Sequence, residues 1–397
     1  MSNTSNFQNN SFNNGTDVPT FRSANIMAAD RSPSLLSFRQ QPEQEKMIKS
    51  ITTLAVPEKM TSVTMLSNGW NTPQLTTVAL YFPLGPSVVR LSKDALANLL
   101  ESLPEMFRKL SLQALYNDCP ISVTARSLES VELEISIFQC RDNSEELIIE
   151  FQRRDGDCAA YHQYAHQIMS AIAGGATVSP VCGTPWNHNT FSRLECIPYE
   201  ESPEDSVAGA IDIAWSLISN DRYDARKLGL ESLKHMSDPN TSGMTTSKAV
   251  AEYLLFPQTL VQQNVSRTVF GYACRSIRST TDSAKGADEA EFTYLALIII
   301  SQCFRIAARD KSLDIPTFVD LFPGDLVESI LEKVHDAKSH PHHAFYAVQS
   351  LVALCECAPS LRSRINGRDV EEAHLYGDSC HFALATASQQ LLLALGA

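Results

Sequence analysis

From about Ser202 onward the apolar residues recur at helical spacing, and no stretch alternates as a half-buried strand does. That feature confines the C-terminal half to helices, each of which must bury one stripe against a neighbour. The first stripe is Val207, Ala210, Ile211, Ala214, Trp215 and Ile218, ending at Asn220-Asp221. Ser202-Pro203-Glu204-Asp205 opens it with a capping hydroxyl, a proline at the first helical position and acids at the positive end of the dipole. A second helix runs from Tyr223 to Met236, turns Ala225, Leu230, Leu233 and Met236 inward, and stops at Asp238-Pro239. Two helices joined so closely form an antiparallel hairpin. The pattern predicts further helices from Lys248 to Phe256, Gln262 to Ile277, Glu291 to Ala308, Leu326 to Ala337, His342 to Cys357 and Val370 to Leu395, the last broken near Gly377.

The half is also self-similar. Gly229-Leu230-Glu231-Ser232-Leu233-Lys234-His235-Met236 matches Ala347-Val348-Gln349-Ser350-Leu351-Val352-Ala353-Leu354 in its small, apolar, polar, Ser-Leu order. Their offset is close to three lengths of the ~40-residue unit of helical repeat proteins. With Asp224 to Leu230 and His343 to Val348 beside them, these segments resemble the inner helix of an armadillo repeat. Residues 204–397 are therefore expected to form an armadillo/HEAT-like solenoid, whose stacked hairpins build a continuous surface for a protein partner.

Between Ile51 and Ala173 the pattern is different. Thr76 to Phe82 predicts a strand, and Ser92 to Leu115 an amphipathic helix, with Ser92 as its cap, Asp94 in its first turn and Pro104 as a kink or break. Strands are expected at Ile121 to Ala125, Val131 to Phe138 and Leu147 to Arg153. In the second, Val131, Leu133, Ile135 and Ile137 face one way and Glu132, Glu134 and Ser136 the other. Arg141-Asp142-Asn143-Ser144 supplies turn chemistry for a hairpin. A closing helix after Gly156 carries Tyr161, Tyr164, Ala165, Ile168 and Met169 on its inner side. These elements predict a small α+β domain over 51–173, an antiparallel sheet with helices on one face. The expected fold is thus a multidomain chain of an α+β class followed by an all-α class.

The run Leu147 to Arg154, then Asp155-Gly156-Asp157, Tyr161 and a terminal helix resembles the kinase-associated C-terminal domain of AMP-activated and MARK-type kinases. The likeness implies an intramolecular docking or phospholipid-binding module, with Arg141, Arg153 and Arg154 as lipid or docking contacts. It implies no kinase activity, because neither a Gly-rich loop nor a His-Arg-Asp catalytic loop precedes it.

Residues 1–46 are Asn-, Ser-, Gln- and Pro-biased with few large apolar side chains, the composition of a disordered tail. In it Arg31-Ser32-Pro33-Ser34 has the form of a phosphorylation site. Residues 174–203, with Gly174-Gly175, Pro180, Pro185 and Pro198, predict an interdomain linker. A net charge of −13 disfavours general nucleic-acid or anionic-membrane binding, which needs clustered Lys and Arg. Cysteines in apolar or helical contexts without framework spacing predict reduced thiols, hence the cytoplasm or the nucleus. The most apolar run, Leu295 to Ile300, is far shorter than the roughly 20 residues of a bilayer span.

No set of residues predicts catalysis, a cofactor or a metal. His162 and His166 have the spacing of a zinc metalloprotease, but Gln163 stands where the general base belongs and cannot take a proton. His335, His340, His342 and His343 crowd a stretch broken by Pro341 and predict a polar connector. Cys355-Glu356-Cys357 lacks the gap two thiolates need to share zinc. Cys380 and His381, being adjacent, point about 100° apart on a helix and make no nucleophile–base pair. No phosphate-cradling glycine pattern occurs. The functional expectation is a non-catalytic interaction scaffold acting through the helical surface, with a peripheral phospholipid-binding or docking role for the α+β domain as the alternative.

Overall fold

A computed structural model describes residues 69–71, 73–78, 87–174, 178, 203–276, 284–310 and 326–396. The expected tail over 1–46, most of the expected linker, the Ser202 cap and the end of the first expected strand lie outside the described residues.

The sheet is built from β1 (Thr76–Thr77), β2 (Val88–Ser92), β3 (Gln113–Asp118), β4 (Ile121–Arg126), β5 (Glu132–Gln139) and β6 (Glu146–Asp155), in the order β2-β6-β5-β4-β3. All these pairings are antiparallel. The short β1 runs parallel to the end of β5, opposite Phe138 and Gln139, beyond the register of β4. The alternation read in β5 holds: Leu133, Ile135 and Ile137 are buried while Glu132, Glu134 and Ser136 are half-buried. The β5–β6 turn is tied as its residues suggest, with Asn143 Oδ1 accepting from Glu145 N at 3.1 Å. Helices α1 (Leu96–Leu110) and α2 (Cys158–Ile172) bury Leu103, Phe107, Tyr164 and Ile168 in one core with Ile121, Leu133, Ile135 and Phe151 of the sheet.

Two expectations for this half need correction. Val88–Ser92 is a strand, so Ser92 ends β2 and its side chain caps nothing. The helix ends at Leu110 rather than Leu115 and passes through Pro104 without a break in its span. Ser111 stops it by taking the left-handed conformation (φ 55°, ψ 39°), and Leu112 N bonds back to Phe107 O at 2.9 Å, a Schellman closure that turns the chain into β3.

The second half contains α3 (Pro203–Ile218), α4 (Tyr223–Ser237), α5 (Met244–Leu255), α6 (Leu260–Ala273), α7 (Ala284–Arg309), α8 (Leu326–His335), α9 (Pro341–Cys357), α10 (Gly367–Cys380) and α11 (Phe382–Leu395). Among the described residues no strand follows β6. Helix α4 packs on α7, α7 on α9 and α9 on α11, giving a ladder of successive helices. The others flank it, α3 against α4, α5 and α6 against α7, α8 against α9 and α10 against α11. The similar segments Gly229–Met236 and Ala347–Leu354 both lie on ladder helices, α4 and α9. The expected break near Gly377 falls later, at His381, and Gly377 stays inside α10 because the α11 backbone crosses there. A Cβ at Gly377 would stand 2.5 Å from Ala385 N.

The window Asp288–Arg309 of α7 is long and apolar enough by composition to span a bilayer, more than the run Leu295 to Ile300 suggested. However, 78% of its most apolar 18 residues are buried in the protein, the position of a core helix.

Candidate functional site

The two cores meet along one strip, and the strip is polar. Its centre is the β4–β5 turn. Ser127 Oγ accepts from Glu129 N and Val131 N, both at 3.2 Å, and Ser130 adopts a positive φ of 66°. Gly156, at φ 89°, lies beneath the turn: a Cβ there would meet Ser130 O at 2.6 Å, so only glycine permits the approach. Held in this way, the turn sends the Leu128 side chain into the helical core, where it is 5% exposed.

The Leu128 carbonyl accepts from two hydroxyls, Tyr294 of α7 at 2.7 Å and Tyr346 of α9 at 3.2 Å. Burial raises the pKa of both phenols, so both stay protonated as donors. Beside them the Arg126 guanidinium lies 2.5 Å from Glu291 Oε2 and 5.2 Å from the centre of the Tyr294 ring. Burial opposes its charge, but Glu291 prevails and the pKa stands above that of free arginine. Lys227 of α4 reaches Asp155 at 3.7 Å and Glu291 at 3.9 Å. Lys234 on the same helix is pushed down by burial, with Glu129, Glu231 and Glu291 opposing the shift. Glu129 in turn accepts from Tyr164 OH at 2.6 Å, tying the turn to α2.

The strip continues to α11 through Ser111. Its Oγ accepts from Ala383 N at 2.8 Å, and its carbonyl lies 3.2 Å from His342 Nε2 of α9. Every ladder helix, α4, α7, α9 and α11, thus makes a polar contact with the α+β half. These contacts are between packed groups, and Arg126, Lys227 and Glu291 are engaged with one another.

The residues singled out in the sequence fall elsewhere or change meaning. Arg141 sits exposed in the β5–β6 turn, whereas Arg153 lies six strand residues beyond Leu147, roughly 20 Å along β6. Arg153 donates to Gly156 O at 2.6 Å, and Arg154 is paired with Glu134. The three arginines are not brought together. His162 and His166 are exposed on α2 and line a shallow groove with Ser87 and Met169. Among the described residues no group of three His, Cys, Asp or Glu side chains is placed to hold a metal. The polar connector holds for His335, exposed at the end of α8 and 3.6 Å from Asp369, and for His340 in the turn before α9, but not for the other two: His342 is buried, His343 Nε2 lies 3.2 Å from Ala290 O, and both rings lie against Tyr294. Cys355 is buried, and burial pushes the Cys357 thiol up to about 11. Cys380 donates to Tyr376 O at 3.1 Å and its thiol is raised by burial, so it is no thiolate nucleophile.

Sequence reading missed Ser111, Arg126, Leu128, Tyr294 and Tyr346. One signal was present: Leu128 puts a large apolar side chain at a hairpin tip, where it has no place in its own sheet. No known protein family, curated protein or solved structure matches this chain.

Proposed function

We propose that the chain is a non-catalytic scaffold: an armadillo/HEAT-like helical array whose ladder face is held by its own α+β half, with the remaining helical surface free for a protein partner. The observation that carries this reading is the series of polar contacts from α4, α7, α9 and α11 to one strip of the α+β half. A tyrosine pair on a backbone carbonyl and an acid on an arginine are contacts able to fix a chain segment to a helical surface. Here that segment is supplied in cis. The succession of ladder helices, with the similar segments on α4 and α9, supports the repeat reading. The intramolecular docking implied by the likeness to kinase-associated domains agrees with it. The phospholipid alternative has less support, since it rests on three arginines that lie at two ends of a hairpin and of which two are engaged.

Ile213, Leu260 and Leu393 are 66%, 77% and 70% exposed on α3, α6 and α11. The test is affinity purification of the full chain with mass spectrometry, comparing the wild type with Ile213→Glu, Leu260→Glu and Leu393→Glu. At least one surface variant should lose a retained protein while melting as the wild type does. Retention of the same proteins by all of these and by the core-disrupted Leu233→Asp would count decisively against a scaffold.

A further inference from the structure

The sheet has two edges, β2 and β3, and the chain covers them unequally. At β3, Trp70 Nε1 donates to Asn117 O at 3.1 Å, Gln74 N to Asp118 O at 2.6 Å, and Gln113 Nε2 reaches Ser339 O at 3.5 Å. Among the described residues β2 is bonded on its inner side alone. Phe151 N donates to Ser87 O at 2.9 Å and Lys93 N to Glu145 O at 2.8 Å, which sets the phase of the antiparallel ladder. Val89 and Leu91 therefore bond inward to β6, and Val88, Arg90 and Ser92 turn their N–H groups outward, with the Val88 and Arg90 carbonyls beside them. No described residue bonds to these outward groups. Proline, lysine and a bulge, the usual protections of an edge, are all missing from Val88–Ser92.

Beside this edge runs the groove between β2 and α2, of about 440 Å³. Val89, Ala165 and Met169 give it apolar lining, with His162 and His166 exposed along α2. Val89 and Leu91 face this side of the sheet, while Arg90 faces the other, its side chain 55% exposed and 3.3 Å from Glu146. Outward N–H and C=O groups at alternate residues are matched by an extended backbone and by no helix. In such a strand alternate side chains lie over the groove, where small apolar groups suit Val89 and Met169. The residue between them stands opposite Arg90, where a carboxylate is favoured. A second copy pairing through β2 about Arg90 would set two arginines face to face, which disfavours it. We propose that the β2 edge docks an extended segment of a protein partner as an added antiparallel strand, with an acidic residue opposite Arg90 and an apolar residue on each side of it over the groove. The site belongs to the α+β half and stands whether or not the helical surface has a partner.

The probe is a fluorescein-labelled peptide, Gly-Thr-Val-Glu-Val-Thr-Gly, titrated against the full-length protein by fluorescence polarisation, with amide hydrogen exchange by NMR as a second readout. Saturable binding is expected, with exchange slowed at Val88, Arg90 and Ser92 and unchanged at Val89 and Leu91, whose amides are already bonded. Methylating the peptide nitrogen of the glutamate removes one bond to Arg90 and should weaken binding about tenfold. A peptide with lysine in place of the glutamate should bind severalfold more weakly, and Arg90→Glu should reverse that preference while melting within a few degrees of wild type. Arg90→Pro, which loses only an outward N–H, should abolish binding. Should Arg90→Pro fail to fold, Arg90→Glu and the altered peptides carry the test. Absence of saturable binding, equal affinity for the methylated peptide, or a preference unmoved by Arg90→Glu overturns the proposal. So does slow exchange at Val88, Arg90 and Ser92 without peptide: if it grows with protein concentration a second copy holds the edge, and if it does not the chain's own residues do.

Discussion

The Tyr294 hydroxyl donates to the Leu128 main-chain carbonyl at 2.7 Å, across 166 residues of sequence. Leu128 belongs to the sheet half by its place in the β4–β5 turn and to the helices by its side chain, which is buried with Val207 and Phe292 in the helical core, against which Tyr346 packs. The contact ties the two halves of the chain together. The described residues accordingly fall in one compact unit, Thr61–Ala397, although each half has its own hydrophobic core.

Arg126→Ala should destabilise the whole unit. It leaves Glu291, 11% exposed, with only Lys227 at 3.9 Å as a cation. Removing one partner of a buried pair costs about 3–5 kcal/mol, and the 36% exposure of Arg126 together with the help of Lys227 brings the expected loss to about 2 kcal/mol. The double variant Arg126→Met, Glu291→Leu should recover most of it, because no buried charge is then left unpaired. Urea unfolding measures both. A single variant as stable as wild type would show that the pair is not what joins the halves.

Much of the local structure was legible because it rests on local pattern. The alternation from Leu133 to Ile137 needs only a one-sided sheet, and the stripe from Val207 to Ile218 only a neighbouring helix. What failed depended on distant partners. Leu110 to Leu115 continues the helical spacing of α1, and serine has no preference for a left-handed turn; Ser111 takes one where its Oγ is held by Ala383 N, 272 residues away. His342 and His343 read as polar by residue type, yet stack on Tyr294 once the ladder is assembled. Arg126 and Tyr346 carried no spacing signal at all, and the interface they make exists only in three dimensions.

Two pairs of glycines should respond oppositely to alanine. At Gly229 a Cβ would stand 2.7 Å from both Ala214 O and Ile218 Cγ1, and at Gly377 2.5 Å from Ala385 N. Backbone cannot yield there without parting the helices, so Gly229→Ala and Gly377→Ala should each lose on the order of 2–3 kcal/mol. At Gly209 and Gly271, both exposed in helix interiors, nothing lies within 4 Å of the added carbon. Gly209→Ala and Gly271→Ala should each gain about 0.5–1 kcal/mol through the lost freedom of the unfolded chain. Thermal melts decide the signs, and destabilisation at Gly209 would contradict the open surface seen there.

The thiols should divide by burial. Cys119 and Cys158 are exposed, whereas Cys140, Cys303 and Cys355 are buried, with Cys303 pushed up to about 12 by burial. Iodoacetamide at pH 7.5, mapped by mass spectrometry, should label Cys119 and Cys158 within minutes and Cys303 and Cys355 only after denaturation. Early labelling of Cys303 would mean that α7 is not the core helix it forms here.

Acid should loosen the molecule before its carboxylates titrate. His342 and His381 are buried and His343 is half-buried in the helical half or at its junction, and burial holds all three below the ordinary histidine value, His343 and His381 down to about 3. A base whose folded pKa is depressed binds its proton more readily when unfolded. Its stability contribution is therefore complete above about pH 6.5 and falls as pH drops from there towards 3, by roughly 1 kcal/mol per pH unit for each histidine once well below 6.5. Together these residues should cost several kcal/mol between pH 7 and pH 5, a window above the ordinary carboxylate range. Urea midpoints measured at half-unit intervals test this directly. His343→Gln should flatten the slope by about one proton's worth without moving its onset, and a wild-type midpoint that stays constant from pH 7 to pH 5 would show that these rings meet water in the folded protein.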